Sequence, residues 1–418
     1  MTTVPDTPQG SFRLSMLIYD TRYRSMTIQI IALIGFLLLV GWLINNTLYN
    51  LATLGKPIDF GFLSEPAGYD INQRLIEYNS QSSHWRASVV GLLNTLLVAV
   101  LGCITATVIG VVVGVLRLSP NWLVARIMTV YVEIFRNVPV LLWIVFTMAI
   151  LIETLPAPSA FRGDDPASTL KLFDSMAFTN RGFYIPEPLF TRGLGDISVG
   201  GAFNISLNLI AFLVVFVGSL LIARRVSRKA DAVQEQTGLR PRTWPQRLAI
   251  IILPSTALLI ALGFYLGLPE LKGFNFGGGI YMRNSLIALW LALSLYTAAF
   301  IAEIVRAGIL AISKGQTEAA AALGIKPRRV MSLVILPQAL RVIIPPLISQ
   351  YLNLTKNSSL AIAVGYMDLT GTLMGITLNQ TGRELETVLM GMLVYLTISL
   401  IISVVMNWYN ESVKLRER

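Results

Sequence analysis

Charged and hydrogen-bonding side chains are scarce in the long apolar stretches of this 418-residue chain, so those that do occur there are the first candidates for chemistry. Lys356-Asn357-Ser358-Ser359 puts an ammonium, an amide and two hydroxyls in consecutive positions of a segment otherwise too apolar to need them. That set offers donors to a carboxylate and acceptors to an ammonium, as a zwitterion requires, and it is the candidate lining of a substrate path. Glu303 and Arg306 stand one helical turn apart, a spacing suited to pairing. Like Arg341 and Lys356, they fall at or near the ends of apolar spans. The competing reading of all four is as interfacial charges and structural pairs. Catalytic chemistry has no candidates. The chain lacks a G-x-x-x-x-G-K-[ST] phosphate loop, an H-E-x-x-H pair and any Cys/His cluster, so no catalytic residue and no metal is expected. The single cysteine, Cys103, excludes an internal disulfide, and the single histidine, His84, reads as ordinary surface in a loop.

A second group with informative spacing is polar and lies between two apolar segments. Glu318-Ala319-Ala320 is followed by three residues, Gly324, nine residues, and an aliphatic-x-Leu336-Pro337 end. Ser313-x-x-Gln316 has the form of a capping box, and the alanine run is a strong helix former with a flat face. Gly324 is placed just past the helix end, where a left-handed backbone is easily adopted, and Pro327 suits the first turn of a second helix. The expected product is a short helix-turn-helix whose small alanines let another protein's surface approach closely, with Glu318 capping or pairing at its start.

The elements that must position these groups are membrane spans. With 54% hydrophobic and 13% charged residues, the composition is not that of a soluble protein. Eight stretches are long enough to cross a bilayer at roughly 20 residues each. They run about Thr27–Asn45, Ala87–Leu116, Val124–Ile152, Phe203–Ala223, Leu248–Leu266, Ser285–Ile304, Val330–Leu352 and Val388–Trp408. Arg126, Glu133 and Arg136 interrupt the first half of the third, which must be shielded by protein or lie at the interface. Pro337, Pro345 and Pro346 predict a kinked or partly unwound seventh span. Gly102, Ala106, Gly110 and Gly114, at four-residue spacing along the second, form a small-residue stripe for close packing of another helix, most simply one of the same subunit.

The net charge of +10 is distributed by topology rather than gathered for nucleic acid. Arg13, Arg22 and Arg24, then Arg117 and Arg126, then the cluster from Arg224 to Arg247, then Lys314, Lys326, Arg328 and Arg329, and finally Lys414, Arg416 and Arg418 all fall on one side of an eight-span chain. The alternate loops hold Asp59, Glu65, Asp70 and Glu77, or Asp164, Asp165, Asp174, Glu187 and Asp196. Both termini are therefore expected in the cytoplasm, with about 46–86 and 153–202 outside as packed structure. The first span lacks a small-residue cleavage site and reads as a retained anchor.

The spacing from Glu318 to Pro337 resembles the EAA signature of the membrane subunits of bacterial binding-protein-dependent ABC importers, with Val334 where Ile is usual. Further elements are similar to the subfamily that imports polar amino acids, the histidine/glutamate/glutamine/arginine group. They are Leu92-Leu93-Asn94-Thr95-Leu96, Tyr131-Val132-Glu133-Ile134-Phe135-Arg136-Asn137-Val138-Pro139, Ala302-Glu303-Ile304-Val305-Arg306-Ala307-Gly308, Gln338-Ala339-Leu340-Arg341 and Leu354-Thr355-Lys356-Asn357-Ser358-Ser359. The resemblance covers roughly 88–408. It implies an all-α type I transmembrane domain, here a five-helix core with an extra N-terminal helix and a two-helix insertion. The implied domains are 1–86, a permease domain over 87–409 interrupted by the insertion at about 153–283, and a tail from 410 to 418. This enlarged layout is similar to general L-amino-acid importers of Gram-negative bacteria. Asn357 stands where the subfamily usually has Asp, which removes a fixed negative charge and suits broad specificity.

The resemblance further implies a multi-pass protein of the bacterial inner membrane. ATP and Mg would be bound by a separate cytoplasmic ATPase dimer, leaving this chain without a cofactor. The other implied partners are a sister permease, a periplasmic amino-acid-binding protein and lipid, with no nucleic acid. Glu318, Ala319, Ala320, Gly324, Leu336 and Pro337 would form the loop that contacts the ATPase. Two alternatives are an ion-driven secondary transporter and a non-transporting scaffold. The span centres hold almost no Asp, Glu or His to couple to an ion, and a scaffold would not need the EAA loop.

Overall fold

A computed structural model describes residues 18, 21–163, 166–199 and 203–413. Arg13, Asp164, Asp165, Lys414, Arg416 and Arg418, which enter the charge argument, lie outside the described residues. The chain divides into two compact units, Met1–Phe62 and Leu63–Arg418. The first contains one long helix, α1 (Thr21–Thr53), apolar all round and exposed along nearly its whole length. Such a surface is stable only in lipid or against other protein.

In the second unit, α2 (His84–Leu116) starts at Ser83, whose Oγ accepts the Arg86 N–H at 3.3 Å. His84 is not surface. It is buried with Nδ1 3.0 Å from Thr377 Oγ1, because the loop before α2 folds back onto the segment before the last helix. The expected third span is two helices, α3 (Trp122–Asn137) and α4 (Val140–Thr154), bent by 107°. Pro139 disfavours helical geometry at the preceding residue, and Val138 is extended at φ −109°, ψ 134°. The resulting α3 is amphipathic and leaves Arg126, Glu133 and Arg136 exposed, so these charges lie on the protein surface rather than in its interior.

Beyond α4 the described residues form nine short strands and two helices before the central helix. β1 (Ala177–Thr179), β2 (Gly182–Ile185) and β9 (Ile280–Arg283) make a three-stranded antiparallel sheet in the order β1-β2-β9. β3 (Glu187–Phe190) pairs with β6 (Phe264–Gly267), β4 (Asp196–Val199) with β5 (Phe203–Ser206), and β7 (Glu270–Lys272) with β8 (Asn275–Gly277). The helical expectation thus holds for the apolar segments, while the loops between them form a small β module. Its own core gathers Ala177, Tyr184 and Phe276, with Phe161, Leu170, Leu271 and Tyr281 around them. Phe203–Ser206, expected at the start of the fourth span, belongs to β5. Helix α5 (Leu207–Thr237) instead continues past Ala223, so Arg224, Arg225, Arg228 and Lys229 ride on helix rather than loop, up to a left-handed Gly238. Helix α6 (Trp244–Ala261) returns to the β module.

The centre is α7 (Asn284–Leu310), most of whose residues are buried against α2, α3 and α4 and against α10 (Leu336–Asn357). The stripe on α2 makes this possible. A Cβ at Gly110 would lie 2.6 Å from Ile301 Cβ, and one at Gly114 2.7 Å from the Ala302 carbonyl oxygen. Ala106 is fully buried, while Gly102 faces Leu354 of α10. Between α7 and α10 lie α8 (Lys314–Ala322), α9 (Pro327–Val330) and a π-helical turn at Met331–Ile335. Pro345 and Pro346 sit inside a continuous α10; the irregular backbone flanks it, in that π turn and in a 3-10 segment over Ser358–Val364. A π-helical stretch, Thr370–Thr377, then leads towards the last helix, α11 (Glu384–Val413).

Candidate functional site

Three groups of residues bear on function, and each is placed by α7 or by the segments that flank it. At its C-terminal end the chain turns into α8, an almost bare helix in which Ala320 is the one buried residue. Glu318, Ala319, Ala321, Ala322 and Leu323 are exposed. The end is closed by two bonds, Gly324 N–H to the Ala321 carbonyl at 2.9 Å and Ile325 N–H to the Ala320 carbonyl at 3.2 Å, with Gly324 at φ +73°. This is the Schellman arrangement that a glycine just past a helix favours. The helix start differs from expectation. Ser313 is the N-cap residue, but its side chain makes no cap hydrogen bond, and the Gln316 N–H goes to the Ser313 carbonyl at 3.1 Å. Pro327 opens α9, and Leu336-Pro337 opens α10. Alanines, glycine and Leu-Pro thus delimit a protruding helix-turn-helix with a flat, unencumbered face.

Just before that hairpin, Glu303 is shared between two guanidiniums. Arg306 reaches it through Nη2 at 2.6 Å and Nε at 3.3 Å, and Arg117, from the end of α2, donates through Nη1. The i,i+3 pair was legible in the sequence; Arg117, distant along the chain, was not. Its side chain is 8% exposed, so the pair that crosses between helices is the better shielded of the two.

The third group is the expected substrate path. Lys356 is exposed and Asn357 half-buried at the last turn of α10. Asn357 lines a cavity of about 280 Å³ together with Tyr296, Thr297, Phe300, Gln350 and Asn353. Ser358 points elsewhere: it is fully buried, and its Oγ donates to the Thr355 carbonyl at 2.7 Å. The Ser359 hydroxyl is likewise taken up by the Lys356 carbonyl at 2.8 Å. Of the four expected residues, the structure brings Asn357 alone into this cavity. Gln350, Asn353 and Tyr296 escaped the sequence reading. Their signal was available, because Gln350, Asn353 and Asn357 recur at i, i+3 and i+7, on one face of α10.

Asn94 and Thr95 also acquire a role. The Asn94 Nδ2 donates to the Gln73 and Met367 carbonyls at 2.7 and 2.8 Å, and Thr95 Oγ1 accepts the Leu369 N–H at 3.1 Å. Together they bind the start of α2 to the segment that follows the 3-10 turn.

With this geometry in place, similarity to known proteins is decisive. A family model described as the binding-protein-dependent transport system inner membrane component matches residues 243–415. The chain is 59% identical to the glutamate/glutamine/aspartate/asparagine transport system permease protein BztB of Rhodobacter capsulatus, an alignment covering 100% of both chains. The chain belongs to the ABC importer permeases. It is also 45% identical to the general L-amino acid transport system permease protein AapQ of Rhizobium johnstonii, over 98% of this chain and 96% of that one. To the putative amino-acid ABC transporter permease protein YhdX of Escherichia coli it is 44% identical, over 94% and 95%. As an ABC importer permease it is a multi-pass membrane component of a transport system.

Proposed function

We propose that the chain is the pore-forming subunit of an ATP-driven importer that moves L-amino acids, acidic and amide ones included, from periplasm to cytoplasm. The observation that carries this reading is full-length similarity, at 59% identity, to a permease of a glutamate, glutamine, aspartate and asparagine transport system. The cavity at Asn357 is chemically suited to such cargo. Its hydroxyl and amide groups can both donate and accept, and none of the lining residues carries a charge. Asn357 and Lys356 belong to the path in this reading. The exposed face of α8, from Glu318 to Gly324, rests on a separate ATPase that binds ATP and Mg, and a sister permease and a periplasmic binding protein complete the system.

The test is uptake of labelled amino acids by a strain lacking this chain and by the same strain carrying it, with unlabelled competitors. Restored uptake of glutamate and glutamine that stops on ATP depletion and survives collapse of ion gradients is the expected result. Uptake that follows the ion gradient, or none of any amino acid, overturns the reading.

A further inference from the structure

A second polar cavity, of about 370 Å³, lies between the β module and the start of α7. Its wall includes Asn180 and Arg181 from the β1–β2 turn, Asn275 from β8, and Arg283, Asn284 and Ser285 where β9 runs into α7. Two arginines contribute to it, and none of the described residues lining it is acidic. Helix α7 begins here with no side chain capping its first turn. A helix start of this kind attracts an anion through its free N–H groups and dipole.

Further observations point to a ligand. Asn284 and Ser285 are 3% and 4% exposed, yet Asn284 Oδ1 and Ser285 Oγ have no hydrogen-bond partner, and neither has Asn180 Oδ1. The Asn284 amide orientation is fixed, because its Nδ2 donates to the Thr179 carbonyl at 3.2 Å. Buried polar atoms without partners are unusual, and several around one cavity call for an occupant with matching groups. The free oxygens accept from an ammonium, while the arginines and the helix start suit a carboxylate. The cavity also touches Val364 and Gly365, where the 3-10 segment beginning at Ser358 ends. Seven residues of 3-10 helix at about 2 Å each extend roughly 14 Å, so a single short segment links this cavity to Asn357.

We propose that this cavity is an entrance subsite for an α-amino acid, which places the α-carboxylate at the uncapped start of α7 and favours acidic over basic side chains. The proposal rests on the amino-acid reading above and adds a site, built jointly by the β module and α7, separate from the cavity at Asn357. Its volume lies within the range of small-molecule sites.

Two measurements on the assembled transporter test it. In uptake, Arg283→Gln should lower the glutamate-to-arginine ratio at least threefold relative to the parent, and Arg283→Lys should restore it. The second uses thiol protection, with Ile152→Cys on the cavity wall in a Cys103→Ser background. Glutamate should slow its modification by a charged methanethiosulfonate more than arginine does, and adding Ser285→Ala should weaken protection by both. An unchanged uptake ratio in Arg283→Gln, or equal protection by glutamate and arginine, overturns the subsite while leaving the amino-acid reading intact. If Arg283→Gln does not reach the membrane, the protection assay decides with both arginines in place. Absence of uptake of any amino acid by the parent overturns both.

Discussion

In the proposed path, Asn357 contributes a neutral amide to the wall of its cavity. It shares its cavity with a tyrosine, a threonine, a glutamine and a second asparagine, so no fixed charge opposes cargo of either sign. Asn357→Asp would put a partly desolvated carboxylate there, where charges interact more strongly than in water. The glutamate-to-arginine uptake ratio is expected to fall, and an unchanged ratio in a correctly inserted, active variant would remove Asn357 from the path. Glu303 is the other residue whose loss should register. Glu303→Gln leaves Arg117, mostly buried, without its anionic partner. The cost lies between that of an exposed and a buried pair, about 1–3 kcal/mol. A lower thermal midpoint for the purified permease, partly restored by also removing the Arg117 charge, is the expected result; a midpoint equal to the parent's contradicts it. The sequence revealed half of this arrangement. Glu303 and Arg306 are neighbours by helical periodicity, whereas Arg117 arrives by tertiary packing that no local pattern encodes. For the same reason His84 was misread as surface: its partner Thr377 lies 293 residues away.

Elements were legible where local chemistry decides them. Gly324 is left-handed, as its place after an alanine run implies, and Pro327 opens α9. The small-residue stripe on α2 meets α7 and α10 of the same chain, since its glycines leave room for Ile301, Ala302 and Leu354. Elements were less legible where two local signals compete. Val124–Ile152 has enough apolar residues for one span, yet Pro139 divides it, and the hydropathy window could not register a one-residue veto. The prolines of α10 mislead in the opposite sense, because a helix can hold Pro345 and Pro346 while the π and 3-10 turns absorb the irregularity on either side. The Gly324 cap gives the sharpest test at this scale. Gly324→Val forces a β-branched residue to φ +73°, at a cost of about 1–3 kcal/mol. Because α8 has one buried residue, little packing opposes its fraying. Uptake should drop at least tenfold while the chain still reaches the membrane, and near-normal uptake would count heavily against α8 as the coupling element.

For the whole molecule, the distribution of charge predicts orientation. The described helices include seven long and apolar enough to cross a membrane, and the bent α3–α4 pair supplies an eighth if it is counted as one span. With eight crossings both ends share a side. The arginines and lysine from Arg224 to Arg247 then fall on the same side as α8 and Lys326, Arg328 and Arg329. Because cytoplasmic segments carry the excess of Lys and Arg, that side is expected to be the cytoplasm, with the β module outside. The bend at Pro139 makes this more than a counting exercise. If α3 lies along the interface, α4 alone must reach the far side, and at 15 residues it spans about 22 Å, short of the ~30 Å hydrocarbon core. The crossing would then depend on a locally thinned bilayer or on shielding by neighbouring helices. Reporter fusions after Pro158 and after Gln234 test whether α4 crosses at all, since the first follows α4 directly and the second lies one full helix later. Periplasmic activity at Pro158 and cytoplasmic activity at Gln234 are expected. Cytoplasmic readings at both would mean that neither the α3–α4 pair nor α5 crosses, and the count of spans would fall from eight to six.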